Sequence, residues 1–214
     1  MNKPLAGMRE EYKKSALRKS DVSPDPFEQF DKWFDDALKH NSYMANAMTL
    51  ATTSEDGRPS MRIVLLKDFD ANGFVFFTNY ESQKSREMDE RPVCSLLFWW
   101  ADLERQIRIE GSAARVSRQE SQEYFSTRPR GSQISGIASP QSQVLEHRHI
   151  LEKRTAELER ELAGKTIECP DFWGGYRLKP DYFEFWQGRL NRLHDRISYK
   201  LEQEGKWLIQ RLAP

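Results

Sequence analysis

The chemistry this sequence could carry starts with cations at alternating positions. In Asn191-Arg192-Leu193-His194-Asp195-Arg196 an extended backbone would turn Arg192, His194 and Arg196 to one face and Leu193 and Asp195 to the other. A phosphate ester, with roughly −1.5 to −2 charges near neutrality, suits such a face. Arg forks match its oxygens in pairs, and His adds a donor or exchanges a proton. A solvated edge strand with Arg–Asp pairs has the same pattern, so periodicity alone leaves both readings open. Arg62-Ile63-Val64-Leu65-Leu66-Lys67 embeds two cations in an apolar run, where each must meet an anion or the strand end. Tyr124-Phe125-Ser126-Thr127-Arg128-Pro129-Arg130-Gly131-Ser132 gathers a ring, two Arg and hydroxyls, and its cations would equally serve a helix C-terminus. Ser82-Gln83-Lys84 opens a short helix whose free N–H groups could hold a phosphate, although plain N-capping explains Ser82 as well. Trp186 and Tyr124 beside these stretches suit a flat heteroaromatic ligand.

The common fingerprints are missing: there is no GxGxxG, GxxxxGK[ST], GxSxG or HExxH. His147 and His149 sit two apart on an expected helix and so point to different faces, and no metal site is expected. Cys94 and Cys169 show neither metal spacing nor a disulfide framework, and a cytoplasmic location is expected. The 33 Lys+Arg against 33 Asp+Glu give no global field toward nucleic acid or anionic membrane. Without an apolar run of about 18 residues or an apolar N-terminal segment, no membrane partner is expected either. The 38% hydrophobic content lies below the roughly 45–50% of ordinary soluble domains, while 12% aromatic residues supply a real core. The reading is one domain, 25–214, behind a polar, flexible arm, 1–24.

The positioning elements follow from caps and periods. Asp25-Pro26-Phe27-Glu28 starts a helix to about His40 with Phe27, Phe30, Phe34 and Leu38 at helical spacing. Met48–Thr53, Met61–Lys67, Phe74–Thr78, Val93–Trp100 and Arg105–Val116 read as strands of an antiparallel meander, with a short helix at Ser82–Glu90. Ser117 caps a helix that Pro129 ends, and Arg130–Ser139 reads as a Gly/Ser loop. A long helix is expected from Ser139-Pro140 to Gly164 with Val144, Leu145, Leu151, Leu158 and Leu162 on one stripe. Trp173–Leu178, Tyr182–Gln187, Arg196–Lys200 and Trp207–Leu212 read as further strands. Short turns and few intervening helices favour a mainly β, α+β fold: a closed antiparallel barrel with peripheral helices.

Taken together in order, Arg62–Lys67, Phe77-Thr78-Asn79, Leu103-Glu104-Arg105-Gln106, Tyr124-Phe125 with Arg128–Gln133, Ser139–Gln143, Glu184–Arg189 and Arg192–Arg196 resemble the pyridoxamine 5′-phosphate oxidases. The resemblance runs from Met8-Arg9-Glu10-Glu11-Tyr12 to the terminal Pro214. It implies an FMN-dependent split β-barrel homodimer that oxidises pyridoxamine or pyridoxine 5′-phosphate to pyridoxal 5′-phosphate, with O2 taking the electrons and leaving as H2O2. By similarity, FMN would contact Arg62, Ile63, Val64, Leu65, Leu66, Lys67, Phe77, Thr78, Gln83, Lys84, Gln106, Gln141, Ser142, Trp186 and Arg196. The substrate phosphate would meet Lys67, Tyr124, Arg128 and Ser132, with Arg192 and His194 over the reacting ring as catalytic residues. Arg9 and Tyr12 match an arm that folds over the substrate. Gln83 stands where many members have Arg, Phe77 where Tyr is commoner, and Ile137 where Trp is usual; these bear on FMN affinity more than on reaction type. A split-barrel flavoprotein with another substrate fits Arg192, His194 and the Tyr124/Arg128/Ser132 set less well, and an RNA-binding barrel fits the neutral charge poorly.

Overall fold

The computed structural model describes residues 11–40 and 42–214. Its helices are α1 (Pro26–Lys39), α2 (Gln83–Glu90), α3 (Arg118–Thr127), α4 (Arg130–Ala138) and α5 (His149–Glu161). Its strands are β1 (Ala47–Thr53), β2 (Pro59–Leu65), β3 (Asp68–Asp70), β4 (Gly73–Asn79), β5 (Val93–Trp100), β6 (Arg105–Arg115), β7 (Trp173–Gln187), β8 (Asp195–Leu201) and β9 (Trp207–Leu212). Hydrogen bonding orders them β2-β1-β5-β6-β7-β4-β3, with β8 on β7 and β9 on β8. The β3–β4, β4–β7, β7–β8 and β8–β9 ladders are antiparallel, and for β3–β4 the short connecting turn allows nothing else.

Contacts divide the chain into two compact units: residues up to Thr49 with Ser95–Glu110 and Pro180–Pro214, and Leu50–Cys94 with Gly111–Lys179. In the first, the Asp25 side chain accepts the Phe27 N–H and Pro26 opens α1. The apolar stripe of α1 then buries Phe30, Trp33 and Ala37. Phe30 meets Phe98 edge-on at 5.2 Å and Trp33 meets Phe185 at 5.3 Å. Phe185 packs on Tyr199 at 5.5 Å, whose hydroxyl donates to the Ser23 carbonyl. Residues ahead of α1 are tied to this unit: Leu17 is buried, its N–H is taken by Asp195, and its carbonyl accepts from Arg211.

In the second unit β4 is buried almost throughout and pairs Phe74 with Leu178 and Phe77 with Gly175. A second cluster, Phe125, Ile134, Ala138, Leu158, Ile167 and Trp173, joins α3, α4 and α5 to the start of β7. Gly175 is required here, because a Cβ would lie 2.8 Å from both Phe77 Cε1 and Val116 Cγ2.

Four local expectations are corrected. The segment expected to be a Gly/Ser loop is α4: Ile134 and Ala138 form an i, i+4 buried face, and Gln133 Nε2 donates to the Phe125 carbonyl at 2.9 Å. Burial there outweighs the poor helix propensity of Gly and Ser. The long helix from Pro140 shrinks to α5, since Ser142 has φ 74° and Val144 is 97% exposed; a Val in open solvent gives the first turns nothing to bury. The two strands expected around Pro180 are one, β7, whose ends pair with different partners, β4 and β8. Pro180 falls between the β4 and β8 ladders. Finally, Asn191 and Arg192 have φ of 53° and 60° in a tight 3-10 turn, and β8 begins only at Asp195. The one-face alternation of Arg192, His194 and Arg196 therefore does not hold.

Phe30→Ala should lower the unfolding free energy by about 3–5 kcal/mol, and Val144→Ala by less than about 0.5 kcal/mol, in denaturant titrations. A large loss at Val144 would contradict its exposed place ahead of α5.

Candidate functional site

The second unit holds a cavity of about 570 Å³ whose walls include Val64, Lys67, Phe77, Thr78, Lys84, Tyr124, Arg128, Ser132, Gln141 and Trp173. One wall is a stack of rings: Phe77 lies 4.0 Å from Tyr124 at 18° and 5.5 Å from Trp173 at 10°. Such a surface accepts a flat aromatic ligand. Beside it Arg128 sits over Trp173 at 4.7 Å, held where the N–H of Arg128 bonds the Phe125 carbonyl at the end of α3. Its Nη1 is buried without a hydrogen-bond partner, and burial pulls its pKa down. A shut-off guanidinium donor with nothing to donate to is costly unless an anion arrives. Gly136 gives it room, as a Cβ there would stand 3.0 Å from Nη1. Lys67 is fixed by its N–H on the Val75 carbonyl, with Nζ 5.9 Å from the Tyr124 ring.

At the start of α2, Lys84 Nζ donates to Gln141 Oε1 at 2.7 Å, Ser82 Oγ at 3.1 Å and Thr78 Oγ1 at 3.2 Å. Burial, and then the charge of Arg62, lower its pKa to about 8, with Glu87 acting in the opposite direction. The Gln83 N–H donates to Ser142 Oγ at 3.2 Å. Ser82 does not cap α2; its hydroxyl serves Ser85 and Lys84 instead. Arg62 meets the anion that its apolar strand demanded: Nη2 lies 3.2 Å from Glu87 Oε2. Burial opposes the Glu87 charge, yet donors from Thr52, Ser60, Gln83 and Arg62 bring its pKa down to about 2.

The first unit carries the other expected residues. Trp186 is 4.6 Å from His194, and Tyr12 meets both edge-on at 5.6 Å and 5.7 Å. Tyr12 comes this close because residue 188 is Gly: a Cβ would stand 2.6 Å from its ring. His194 Nδ1 accepts the Arg189 N–H at 3.1 Å, so a neutral ring carries its proton on Nε2. Burial, then the Arg192 charge, keep its pKa below the ordinary value, which favours that neutral form. Arg196 forks onto Glu184 at 2.8 Å and 3.0 Å, and Arg108 joins the same carboxylate at 3.0 Å. Gln106 lies on β6.

The structure thus brings Ile63, Val64, Leu65, Lys67, Phe77, Thr78, Lys84, Tyr124, Arg128, Ser132 and Gln141 to one cavity. Arg62, Leu66, Gln83 and Ser142 belong to the same unit but do not line it, and Tyr12, Gln106, Trp186, Arg192, His194 and Arg196 belong to the other. Arg9 lies outside the described residues. Sequence reading missed Trp173, Gly136, Glu87 and Glu184. For Glu87 there was a signal, Arg62 in an apolar run that had to meet an anion or the strand end, but nothing in the sequence said which acid. His147 and His149 stack at 5.4 Å; among the described residues no His/Cys/Asp/Glu cluster could hold a metal, and no helix is long and apolar enough to cross a membrane.

Over residues 34–160 the chain matches the family model described as pyridoxamine 5′-phosphate oxidase, and over 173–214 that of the pyridoxine 5′-phosphate oxidase C-terminal dimerisation region. The chain belongs to the pyridoxamine 5′-phosphate oxidase family. It is 54% identical to the pyridoxine/pyridoxamine 5′-phosphate oxidase of Rubrobacter xylanophilus, covering 98% of this chain and 96% of that one. With the enzyme of the same name from Rippkaea orientalis identity is 52%, over 98% and 99%. Among solved structures, PhzG from Burkholderia lata, in complex with tetrahydrophenazine-1-carboxylic acid, superimposes with TM-score 0.87 at 30% identity, covering 93% and 98%. An FMN-binding, pyridoxamine 5′-phosphate oxidase-related protein of Nostoc punctiforme shares the fold with TM-score 0.72 at 16% identity, over 90% and 100%. The mainly β split-barrel class expected from sequence is therefore the fold of this chain, and as a pyridoxamine 5′-phosphate oxidase family member it is an FMN-dependent oxidoreductase. Its residues fit that cofactor: an aromatic wall, the buried Lys84 and neutral donors beside it suit a flavin with a phosphate tail.

One pH effect follows from Glu87. Its carboxyl is depressed in the folded chain from 4.5 to about 2, so the stability it contributes is complete above pH 4.5 and lost as pH falls toward 2. Denaturant unfolding at descending pH should show up to about 3 kcal/mol of acid-dependent loss from this group, and Glu87→Gln should flatten that limb.

Proposed function

We propose that the chain oxidises the C4′ carbon of pyridoxamine 5′-phosphate or pyridoxine 5′-phosphate to an aldehyde, giving pyridoxal 5′-phosphate. The amine consumes water and O2 and releases ammonia and H2O2; the alcohol consumes O2 and releases H2O2. The observation that carries this reading is Arg128, whose buried Nη1 has no partner beside a wall of stacked rings: an anion on a flat aromatic body satisfies both. FMN, when bound, accepts the electron pair from C4′ and passes it to O2.

Each residue then has a task. Arg128, Lys67, Tyr124 and Ser132 bind the substrate phosphate. Lys84, Arg62, Thr78, Gln83, Gln141 and Ser142 serve the FMN phosphate end, and the β2 run Ile63–Leu66 with Phe77 borders the flavin. Gln106, Trp186, Arg192, His194 and Arg196 complete the site. Four of them lie in the segment matching the dimerisation region, so we infer that a second copy of the chain supplies them. Arg192 and His194 orient the pyridine ring; with Nδ1 engaged by Arg189, His194 offers the substrate an N–H donor at Nε2 rather than a base. Tyr12, edge-on to Trp186 and His194, covers the substrate; Arg9 lies outside the described residues. A cytoplasmic setting agrees with two thiols, Cys94 and Cys169, that are unpaired and buried.

The test is O2 consumption with aldehyde formation by the FMN-loaded protein, comparing the two phosphate esters with unphosphorylated pyridoxine. Turnover of an ester alone is expected; a yellow protein inert to both esters would overturn the reading. Arg128→Ala should raise KM by a factor equivalent to about 2–4 kcal/mol with kcat little changed. Arg192→Ala should lower kcat as well, and an unchanged kcat would reduce Arg192 to a binding residue.

A further inference from the structure

Arg62 and Lys84, assigned above to the FMN phosphate, share a neighbour that no motif marks. Glu87 is 4% exposed. Its Oε2 accepts from Ser60 Oγ at 2.7 Å, from Thr52 Oγ1 and from Arg62 Nη2 at 3.2 Å, and its Oε1 accepts from Gln83 Nε2 at 2.8 Å. Donors from β1, β2 and α2 thus converge on one buried carboxylate. The Gln83 amide is spent on Glu87, so what that residue offers toward a ligand is its backbone N–H, already facing Ser142. Arg62 is held from its other side as well, by the Leu50 and Ser60 carbonyls at 3.3 Å.

We propose that Glu87 is a positioning residue of the FMN phosphate site, fixing the Arg62 guanidinium against β2 and offsetting its charge beside Lys84. The proposal rests on the assignment of Arg62 and Lys84 to that phosphate. The groups facing Lys84 are Arg62 from β2, Glu87 from its own helix, and the neutral oxygens of Thr78, Ser82 and Gln141. With Glu87 neutralised, Lys84 faces a cation and no acid among these groups, and it loses its proton at lower pH. Removing an acid near a dianion would by itself favour binding. Here the carboxylate is already committed to Arg62 at contact distance, so its loss frees a buried cation from its seat and discharges Lys84, and both changes weaken the hold on phosphate.

The full-length protein, stripped of flavin, should be titrated with FMN and, as the probe lacking phosphate, with riboflavin, by flavin fluorescence across pH. In Glu87→Gln the FMN Kd should rise about tenfold or more near neutral pH, with riboflavin binding unchanged. An alkaline loss of FMN affinity is expected near pH 8 in the native chain as Lys84 deprotonates, and in Glu87→Gln it should move to lower pH by about half a unit or more. Glu87→Asp keeps the charge with a shorter reach, so an intermediate FMN Kd and the native pH limb are expected; it decides the matter if the Gln variant does not fold. Equal losses for FMN and riboflavin, or an unchanged Kd and pH limb, overturn the proposal. Arg62→Ala and Lys84→Met separate the two levels. If neither alters the preference for FMN over riboflavin, the phosphate assignment itself falls. If both do and the Glu87 variants do not, only the role of Glu87 falls.

Discussion

Three cations, Arg62, Lys84 and Arg128, are drawn out of water within the cavity-bearing unit, and each is compensated differently. Arg62 has a full counter-charge in Glu87. Lys84 has only neutral oxygens at hydrogen-bond distance, and its proton is correspondingly loose. Arg128 has a Trp face and one donor with nothing to bind. Desolvating a cation is unfavourable until an anion comes, so this graded compensation leaves the unit poised for anionic ligands. Arg62 is settled beforehand, while Arg128 keeps a donor open to an anion.

The backbone makes those placements possible. β7 pairs with β4 through its first half and with β8 through its second. Its glycines admit neighbours that no side chain would: Gly175 admits Phe77, whose ring then stacks on Tyr124, and Gly188, just beyond the strand, admits Tyr12 against Trp186 and His194. Phe77 stacks on Tyr124 and Trp173. Ile137 packs, partly buried, against the cluster containing Trp173.

Two buried carboxylates perform one task in two places. Glu87 receives Arg62, and Glu184 receives Arg196 in a fork with Arg108 alongside. In each case a long, flexible cation is given one position before any ligand arrives, which reduces the entropy lost on binding. Neither acid lines the cavity, so a search for ligand-facing motifs passes over them.

The sequence by itself determined the family and the mainly antiparallel fold, because these rest on local signals: caps such as Asp25 and Ser117, alternating strands, and short strings such as Arg62–Lys67 that keep their order. It also indicated that Arg62, in an apolar run, had to meet an anion or the strand end. Only the tertiary structure decided that the acid is Glu87, that Gly and Ser around Ile134 and Ala138 form α4, and that Pro180 lies inside a continuous strand. It alone showed Arg192 in a left-handed turn rather than on a strand, and Val144 in solvent rather than on a helical stripe. The reason is common to all of these. Each depends on what a distant segment offers for burial or pairing, whether Phe125 for α4, β4 and β8 for β7, or β2 for Glu87, and a partner far along the chain leaves no trace in local spacing.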